Sequence, residues 1–511
     1  MNLRLLSILI LLVSINLRAA DALDYSSFIL TPPAPATPRI NGPTIFGVRP
    51  DAPFLYTIPA TGDRPMTFSV ENLPDGLSLN SANGQITGSL GKAGEYTVVF
   101  HTKNDKGEAE KKFHIEVGEK IALTPPMGWN SWNCWAWTVS QDKVLRSARA
   151  MVSSGLINHG WTYVNIDDTW QGQRDGKTHA LQGGDNFPDM KGLCDEIHKM
   201  GLKAGIYSSP WVTTYGSRAG SSSDNPDGSW SQALANESNH HPGKYSFVQV
   251  DANQWAAWGF DYLKYDWDTV DVFNTMQMSK ALRKTGRDFV FSLSNTAPFE
   301  HAADWARWAN NWRTTSDIRD AWVTTGEKWQ FGVSEIGFNQ DRWAPYSGPG
   351  HWNDPDMLVV GYVGWGNLHP AHLTPDEQYT HISLWCMLAA PLLIGCNLDQ
   401  LDPFTLNLLS NDEVLAVDQD ALGKQAVRMA TSGSVDVYVK DLEDGGKAVG
   451  FFNRDSSAQT INFNKLGSIG LNGSHHVRDL WRQQDLPDVR DAIQVTIPAH
   501  GVELYKFTAA E

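Results

Sequence analysis

The chain has 511 residues, 41% hydrophobic and 11% aromatic, which is too long for one ordinary domain and ample for a large packed core. A formal net charge of -16 and a pI near 5.4 argue against nucleic acid or an anionic membrane as partner, since either would be repelled by the average field, and favour a neutral substrate.

Residues 1–22 have a basic start at Arg4, an uncharged run from Leu5 to Leu17 and an A-x-A site at Ala20-Asp21-Ala22. This pattern predicts a secretory signal peptide, and hence an exported protein, periplasmic or secreted. The apolar run is shorter than the roughly 20 residues a spanning helix needs, and no membrane span is expected in the mature chain. Residues 23–43, rich in proline and threonine, are expected to be an extended linker.

From 44 to 120, short alternating segments recur at about ten-residue spacing with Gly and Asn between them, as in Met66 to Val70, Tyr96 to Phe100 and Lys112 to Val117. They predict a small β-sandwich. Between 121 and 424 short apolar segments alternate with helical patterns, the signature of a parallel sheet wrapped by helices. Candidate strands are Met127 to Trp132, Tyr163 to Asp168, Lys203 to Tyr207, Tyr262 to Asp266, Phe289 to Ser294, Trp312 to Asp317, His351 to Leu358 and Leu392 to Cys396. Helices are expected between them at Gln141 to Ser154, Met190 to Met200, Val272 to Lys284 and Gln378 to Leu388. Eight such units predict a central (β/α)8 TIM barrel. From 425 to 511 alternation returns, as in Val435 to Lys440 and Ile493 to Ile497, and predicts a C-terminal antiparallel β-sandwich. Cys134, Cys194, Cys386 and Cys396 are too few for a disulfide framework and suit buried thiols or one incidental bridge.

In a barrel of this kind the reactive groups lie at the C-terminal ends of the strands. Several predicted strand ends carry carboxylates: Asp167-Asp168, Asp266 followed by Asp268, Asp317, and Asp354 with Asp356. Such a ring can bind a cation or break a glycosidic bond. No strand end supplies a histidine, because His369 and His372 fall in a loop, so neither a metal nor another cofactor is expected. Trp129, Trp132, Trp135 and Trp137 cluster at and after the first strand, and at a strand end Trp132 offers a flat apolar face to a sugar ring. For Asp317 the competing use is a helix N-cap, and Asp354 and Asp356 are expected to make structural hydrogen bonds in a turn.

Pro125 to Trp132, Ile166-Asp167-Asp168, Lys264-Tyr265-Asp266, Trp312-Arg313 with Asp317, and Trp352 to Leu358 together resemble the successive motifs of glycoside hydrolase family 27, the alpha-galactosidase and melibiase family. The resemblance runs from about Leu123 to Lys424. The segment from 44 to 120 resembles the immunoglobulin-like modules that precede catalytic domains in bacterial glycoside hydrolases. The family resemblance implies Asp266 as nucleophile and Asp317 as acid/base, with Trp132, Asp167, Asp168, Lys264 and Arg313 lining the subsite for the terminal sugar. Lys264, two residues before Asp266 on one strand face, is expected to lower the Asp266 pKa, and partial burial beside other carboxylates to raise that of Asp317.

The implied activity is retaining exo-hydrolysis of terminal alpha-D-galactosides from oligo- or polysaccharides by double displacement, with a monomer as the default state. Alternatives are an alpha-N-acetylgalactosaminidase, a beta-L-arabinopyranosidase, or, in another class, a noncatalytic carbohydrate-binding protein. Ser294 and Ala297 are small, as in the N-acetylgalactosaminidases, whereas Asp168 in place of a longer glutamate leaves room for the galactose hydroxymethyl. Thr169 stands where animal members have a cysteine, so Cys134 lacks that bridge partner.

Overall fold

The computed structural model describes residues 24–232 and 239–510, and the leader expected over residues 1–22 lies outside them. At its centre are eight short parallel strands: β1 (Met127–Asn130), β2 (Tyr163–Asn165), β3 (Lys203–Ser208), β4 (Tyr262–Asp266), β5 (Val290–Ser294), β6 (Asn311–Arg313), β7 (Trp352–Asp354) and β8 (Leu392–Ile394). Strands β1 to β7 are neighbours in chain order, and β8 lies beside β1. A parallel bridge from Leu358, just past β7, to Ile394 in β8 closes the ring. Helices follow the strands, including Gln141–Ser153, Met190–Lys199, Val272–Arg283 and Pro375–Met387, which gives the expected (β/α)8 barrel.

The strands are covered on both faces, which is why they read as continuous apolar runs. Buried tryptophans fasten their ends through the indole N–H: Trp129 donates to the Cys396 carbonyl, Trp170 to that of Tyr207 and Trp352 to that of Ala122, each at 2.8 Å. Each thus buries a large apolar surface without leaving a polar atom unpaired.

Two strands are shorter than their apolar pattern suggests. Strand β6 stops at Arg313 and not at Asp317, which instead begins a separate two-residue strand, Asp317–Ile318, paired with Gln330–Phe331. Strand β7 stops at Asp354, whose Oδ1 accepts the Asp356 N–H at 2.8 Å while Asp356 turns the chain with φ of 80°. Local side-chain acceptors therefore end a ladder that hydrophobicity alone would extend. The helix after β7 begins at Pro375, three residues before the expected Gln378, because Thr374 and Glu377 form a capping box with proline in the first turn.

The N-terminal module stacks a four-stranded sheet (Ile45–Val48, Gly107–Val117, Gly94–Asn104, Thr67–Glu71) on a three-stranded one (Phe54–Thr57, Gln85–Gly88, Leu77–Asn80) around Val98, Phe100, Phe113 and Ile86. It docks at the starts of the barrel strands. Thr57 Oγ1 donates to the Gly201 carbonyl at 2.8 Å, and Arg49 pairs with Asp288. That is the end of the barrel opposite the strands' C-termini.

Residues 25–31, read as linker, lie against the barrel: the Tyr379 hydroxyl donates to the Phe28 carbonyl at 2.7 Å, and Asn411 donates to Thr31 Oγ1 at 2.9 Å. Arg39–Ile40 pairs with Ala60–Thr61.

The C-terminal domain has a six-stranded antiparallel sheet and the two-stranded pair Gln459–Phe463 with Ile493–Ile497. It covers the Pro375–Met387 helix, so every residue of that helix except Asp376 is buried. All four cysteines are free and buried. Among the described residues no helix is long and apolar enough to cross a membrane.

Candidate active site

At the C-terminal ends of the strands a cavity opens whose lining runs from buried to exposed. Its floor comes from β2, β3 and β4. Strand alternation places Lys264 and Asp266 on one face of β4, with Tyr265 buried on the other. Asp167 and Asp168, immediately past β2, and Tyr207 near the end of β3 close the floor.

Asp266 is 8% exposed. Its Oδ2 accepts from the Tyr207 hydroxyl at 3.0 Å, and its Oδ1 accepts from the Asn295 amide. Burial pushes its carboxyl up to about 7; Lys264 pulls it down, while the charges of Asp167 and Asp317 raise it further. Lys264 thus lowers the Asp266 pKa as expected, but burial outweighs that pull and the net shift is upward. Lys264 Nζ lies 2.8 Å from Asp167 Oδ2 and makes its ion pair there, so Asp266 feels it only as a neighbouring charge. Burial opposes the ammonium, yet Asp167 and Asp266 hold it above the ordinary lysine value. The Tyr207 phenol, raised well above its usual range by burial and then by Asp168 and Asp266, stays a neutral donor.

Asp167 is fixed from three sides: its N–H donates to Ser131 Oγ at 2.9 Å, its Oδ1 accepts the Asp168 N–H, and its Oδ2 holds Lys264. Asp168 faces the loop after β3, accepting from Thr169 N–H and Thr214 Oγ1 on one oxygen and from Gly216 N–H on the other. Burial raises its pKa against those three bonds. A side chain at Gly216 would meet this carboxylate within 2.8 Å, which explains the glycine there.

The acid/base candidate is built differently. Asp317 stands four residues past the end of β6, and its side chain is 53% exposed, far more open than that of Asp266. It caps no helix; its segment pairs with Gln330–Phe331. Arg313 Nη2 holds it at 3.2 Å and reaches Asp356 Oδ2 at 3.0 Å. Asp356 Oδ2 also accepts the Ile318 N–H at 2.8 Å. Asp356 thus does the structural work expected of it, and in addition anchors both Arg313 and the residue following Asp317. Burial pushes the Asp354 carboxyl up to about 6 against the pull of Arg313.

Of the four clustered tryptophans, Trp129 and Trp135 are core, Trp137 is 61% exposed, and only Trp132 lines the cavity, with Trp137 edge-on to it at 5.3 Å. Ser294 is also in the lining and is paired in register with Asp266 across β4 and β5. All seven residues singled out from the sequence, Trp132, Asp167, Asp168, Lys264, Asp266, Arg313 and Asp317, converge here. Sequence reasoning missed Tyr207, Asn295 and the Thr214–Gly216 turn. Tyr207 stood at a predicted strand end and was within reach; the turn gave no periodic signal.

His369 and His372 do not line this cavity; they lie against Asp320, with His372 Nδ1 3.0 Å from its Oδ2. This trio is the one group among the described residues able to gather three metal-ligating atoms.

The chain is similar to known proteins over most of its length. A family model described as Alpha galactosidase A matches residues 124–420, its C-terminal beta sandwich domain matches 432–507, and an Ig-domain model matches 37–118. Alpha-galactosidase 2 of Arabidopsis thaliana is 38% identical over 397 residues, 76% of this chain and 90% of its own. The alpha-N-acetylgalactosaminidase of Gallus gallus is 30% identical, over 75% of this chain and 93% of its own. A crystal structure from Bacteroides fragilis superposes with a TM-score of 0.84 at 35% identity, covering 93% of this chain and 98% of that one.

Proposed function

The chain belongs to the alpha-galactosidase family, glycoside hydrolase family 27, and is a glycoside hydrolase; on that premise we propose that Asp266 and Asp317 cleave terminal alpha-D-galactosides with retention of configuration. The observation that carries this reading is the asymmetry of the two carboxyls. Asp266 is buried and aimed by Tyr207 and Asn295, as a nucleophile requires, whereas Asp317 stands at the open side, where a leaving group departs.

In the first step an Asp266 oxygen attacks the anomeric carbon as the bond from that carbon to the leaving oxygen breaks, and Asp317 gives that oxygen its proton. In the second, water attacks the same carbon, Asp317 takes the water's proton and Asp266 leaves as carboxylate. Two inversions give net retention. Asp167, Asp168, Lys264, Arg313 and the face of Trp132 would hold the sugar's hydroxyls and its apolar side. Asp168, held by Thr214 and Gly216, is shorter than a glutamate and leaves more room in the cavity, which supports a hexose over a pentose. The leader pattern over residues 1–22 supports action outside the cytoplasm.

A second reading, alpha-N-acetylgalactosaminide hydrolysis, is favoured by the small Ser294 beside Asp266. Steady-state rates on the 4-nitrophenyl glycosides of alpha-galactose, alpha-N-acetylgalactosamine and beta-L-arabinopyranose decide between them. The galactoside is expected to have the highest kcat/KM; a higher value for either of the others would reassign the sugar, and no turnover of any would favour a binding protein.

A further inference from the structure

We propose that Trp329 is the platform for the sugar on the leaving side of the scissile bond; the inference rests on the proposed hydrolysis of oligo- or polysaccharides and on the assignment of Asp317 as acid/base. The acid that protonates the glycosidic oxygen must stand beside it, so the residues just beyond that acid, towards solvent, face the aglycone. Trp329 occupies that place. Gln330 is the backbone partner of Asp317, so Trp329 is adjacent to the residue paired with the acid, and both side chains line the cavity.

The indole is 73% exposed, the most exposed large apolar side chain among the described residues. Among the described residues it makes no hydrogen bond, aromatic contact or cation contact. A core role is therefore excluded. A loop this exposed would ordinarily be loose, yet the backbone under Trp329 is tied down. Arg319 N–H donates to the Phe331 carbonyl at 2.8 Å, Thr324 Oγ1 donates to the Gln330 carbonyl at 2.9 Å, and Glu335 Oε2 accepts the N–H groups of Thr324 and Gly332 at 2.8 Å each. The residues flanking Trp329 are thus anchored, and its flat apolar face stands at the mouth of a polar pocket.

The mouth also carries Asp268, Ser316 and Tyr215, whose hydroxyl meets the Asn295 amide at 3.3 Å and whose ring rests edge-on against Trp211 at 5.0 Å. One apolar plane with hydroxyl and carboxylate acceptors at its side suits a pyranose, which has a C–H face for the ring and hydroxyls for the acceptors. A bare alkyl or aryl aglycone would use only the plane.

The test compares kcat/KM for an alpha-galactosyl disaccharide with that for alpha-galactosyl fluoride, in the full chain, for the native protein and for Trp329→Ala and Trp329→Phe. Both constants report the first chemical step, but only the disaccharide has a sugar leaving group. Trp329→Ala is expected to lower the disaccharide value about tenfold more than the fluoride value, mainly through KM, and Trp329→Phe to recover most of that difference. Equal losses on the two donors, or no loss on the disaccharide, would overturn the platform. No turnover of the fluoride by the native protein would instead overturn the assignment of the catalytic pair, and the platform with it.

Discussion

Lys264 Nζ sits 2.8 Å from Asp167 Oδ2, joining the end of β2 to β4 across the floor of the cavity, while Asp266 two residues along the same strand receives no hydrogen bond from it. One cation thus serves two buried carboxylates, one as ion-pair partner and one through its field. Lys264→Met should therefore act on both. Removing the charge raises the Asp266 pKa above its value of about 7, and since the nucleophile must be ionised, the acid limb of the kcat/KM profile should move to higher pH by about one unit or more. A pH profile on alpha-galactosyl fluoride checks this; an unmoved limb would assign Lys264 to sugar binding alone.

Asp266→Asn should abolish turnover, by at least about a thousandfold, and stabilise the fold. The folded-state pKa of Asp266 is raised from 3.8 to about 7, so its contribution is favourable below about pH 4 and is lost as pH rises towards 7. An uncharged amide escapes that loss. The gain in thermal midpoint should be absent near pH 3.5, grow through pH 5 and 6, and level off above pH 7; a variant less stable than the native protein at pH 7.5 would contradict it.

Asp317→Ala should separate leaving groups. Sugar leaving groups need the proton, and their kcat/KM is expected to fall by about 10² to 10⁴, with a much smaller loss for alpha-galactosyl fluoride, whose leaving group does not need it. Added azide should then yield the alpha-galactosyl azide, detectable by NMR. A beta product would mean that the carboxyl pair does not retain configuration.

Arg174, at the end of the Gln171–Arg174 strand that follows β2, and Asp251 form a buried ion pair, with side chains 2% and 0% exposed, that fastens that strand to the Val248–Trp258 helix. Arg174 also donates to the Gly220 carbonyl at 2.8 Å and lies over the Phe247 ring. Asp251→Ala leaves a buried guanidinium without its counter-charge and should cost about 3 to 5 kcal/mol. Urea unfolding followed by tryptophan fluorescence should show this as a lower midpoint, with the acid limb of activity unchanged.

The strand texture, the carboxylates at strand ends and the placement of Lys264 and Asp266 on one face were legible in the sequence because they depend on local periods: alternation along a strand and the recurrence of strand and helix. The strand ends themselves were less legible. At β6 and β7 the apolar pattern ran past Arg313 and Asp354, where side-chain hydrogen bonds and a left-handed turn at Asp356 actually stop the ladder.

Tertiary structure alone decided the rest, because closing a barrel brings together residues with no fixed separation along the chain. Asp167 and Lys264 are 97 residues apart, Tyr207 and Asp266 are 59 apart, and Ile318 and Asp356 are 38 apart. The same closure gives Lys264 a different partner from its strand neighbour. It also leaves Asp317 exposed beside Trp329 and sends the N-terminal module to the end of the barrel away from the site. The sequence by itself determined which groups carry the chemistry; the packing of eight strands into a ring determined which of them touch.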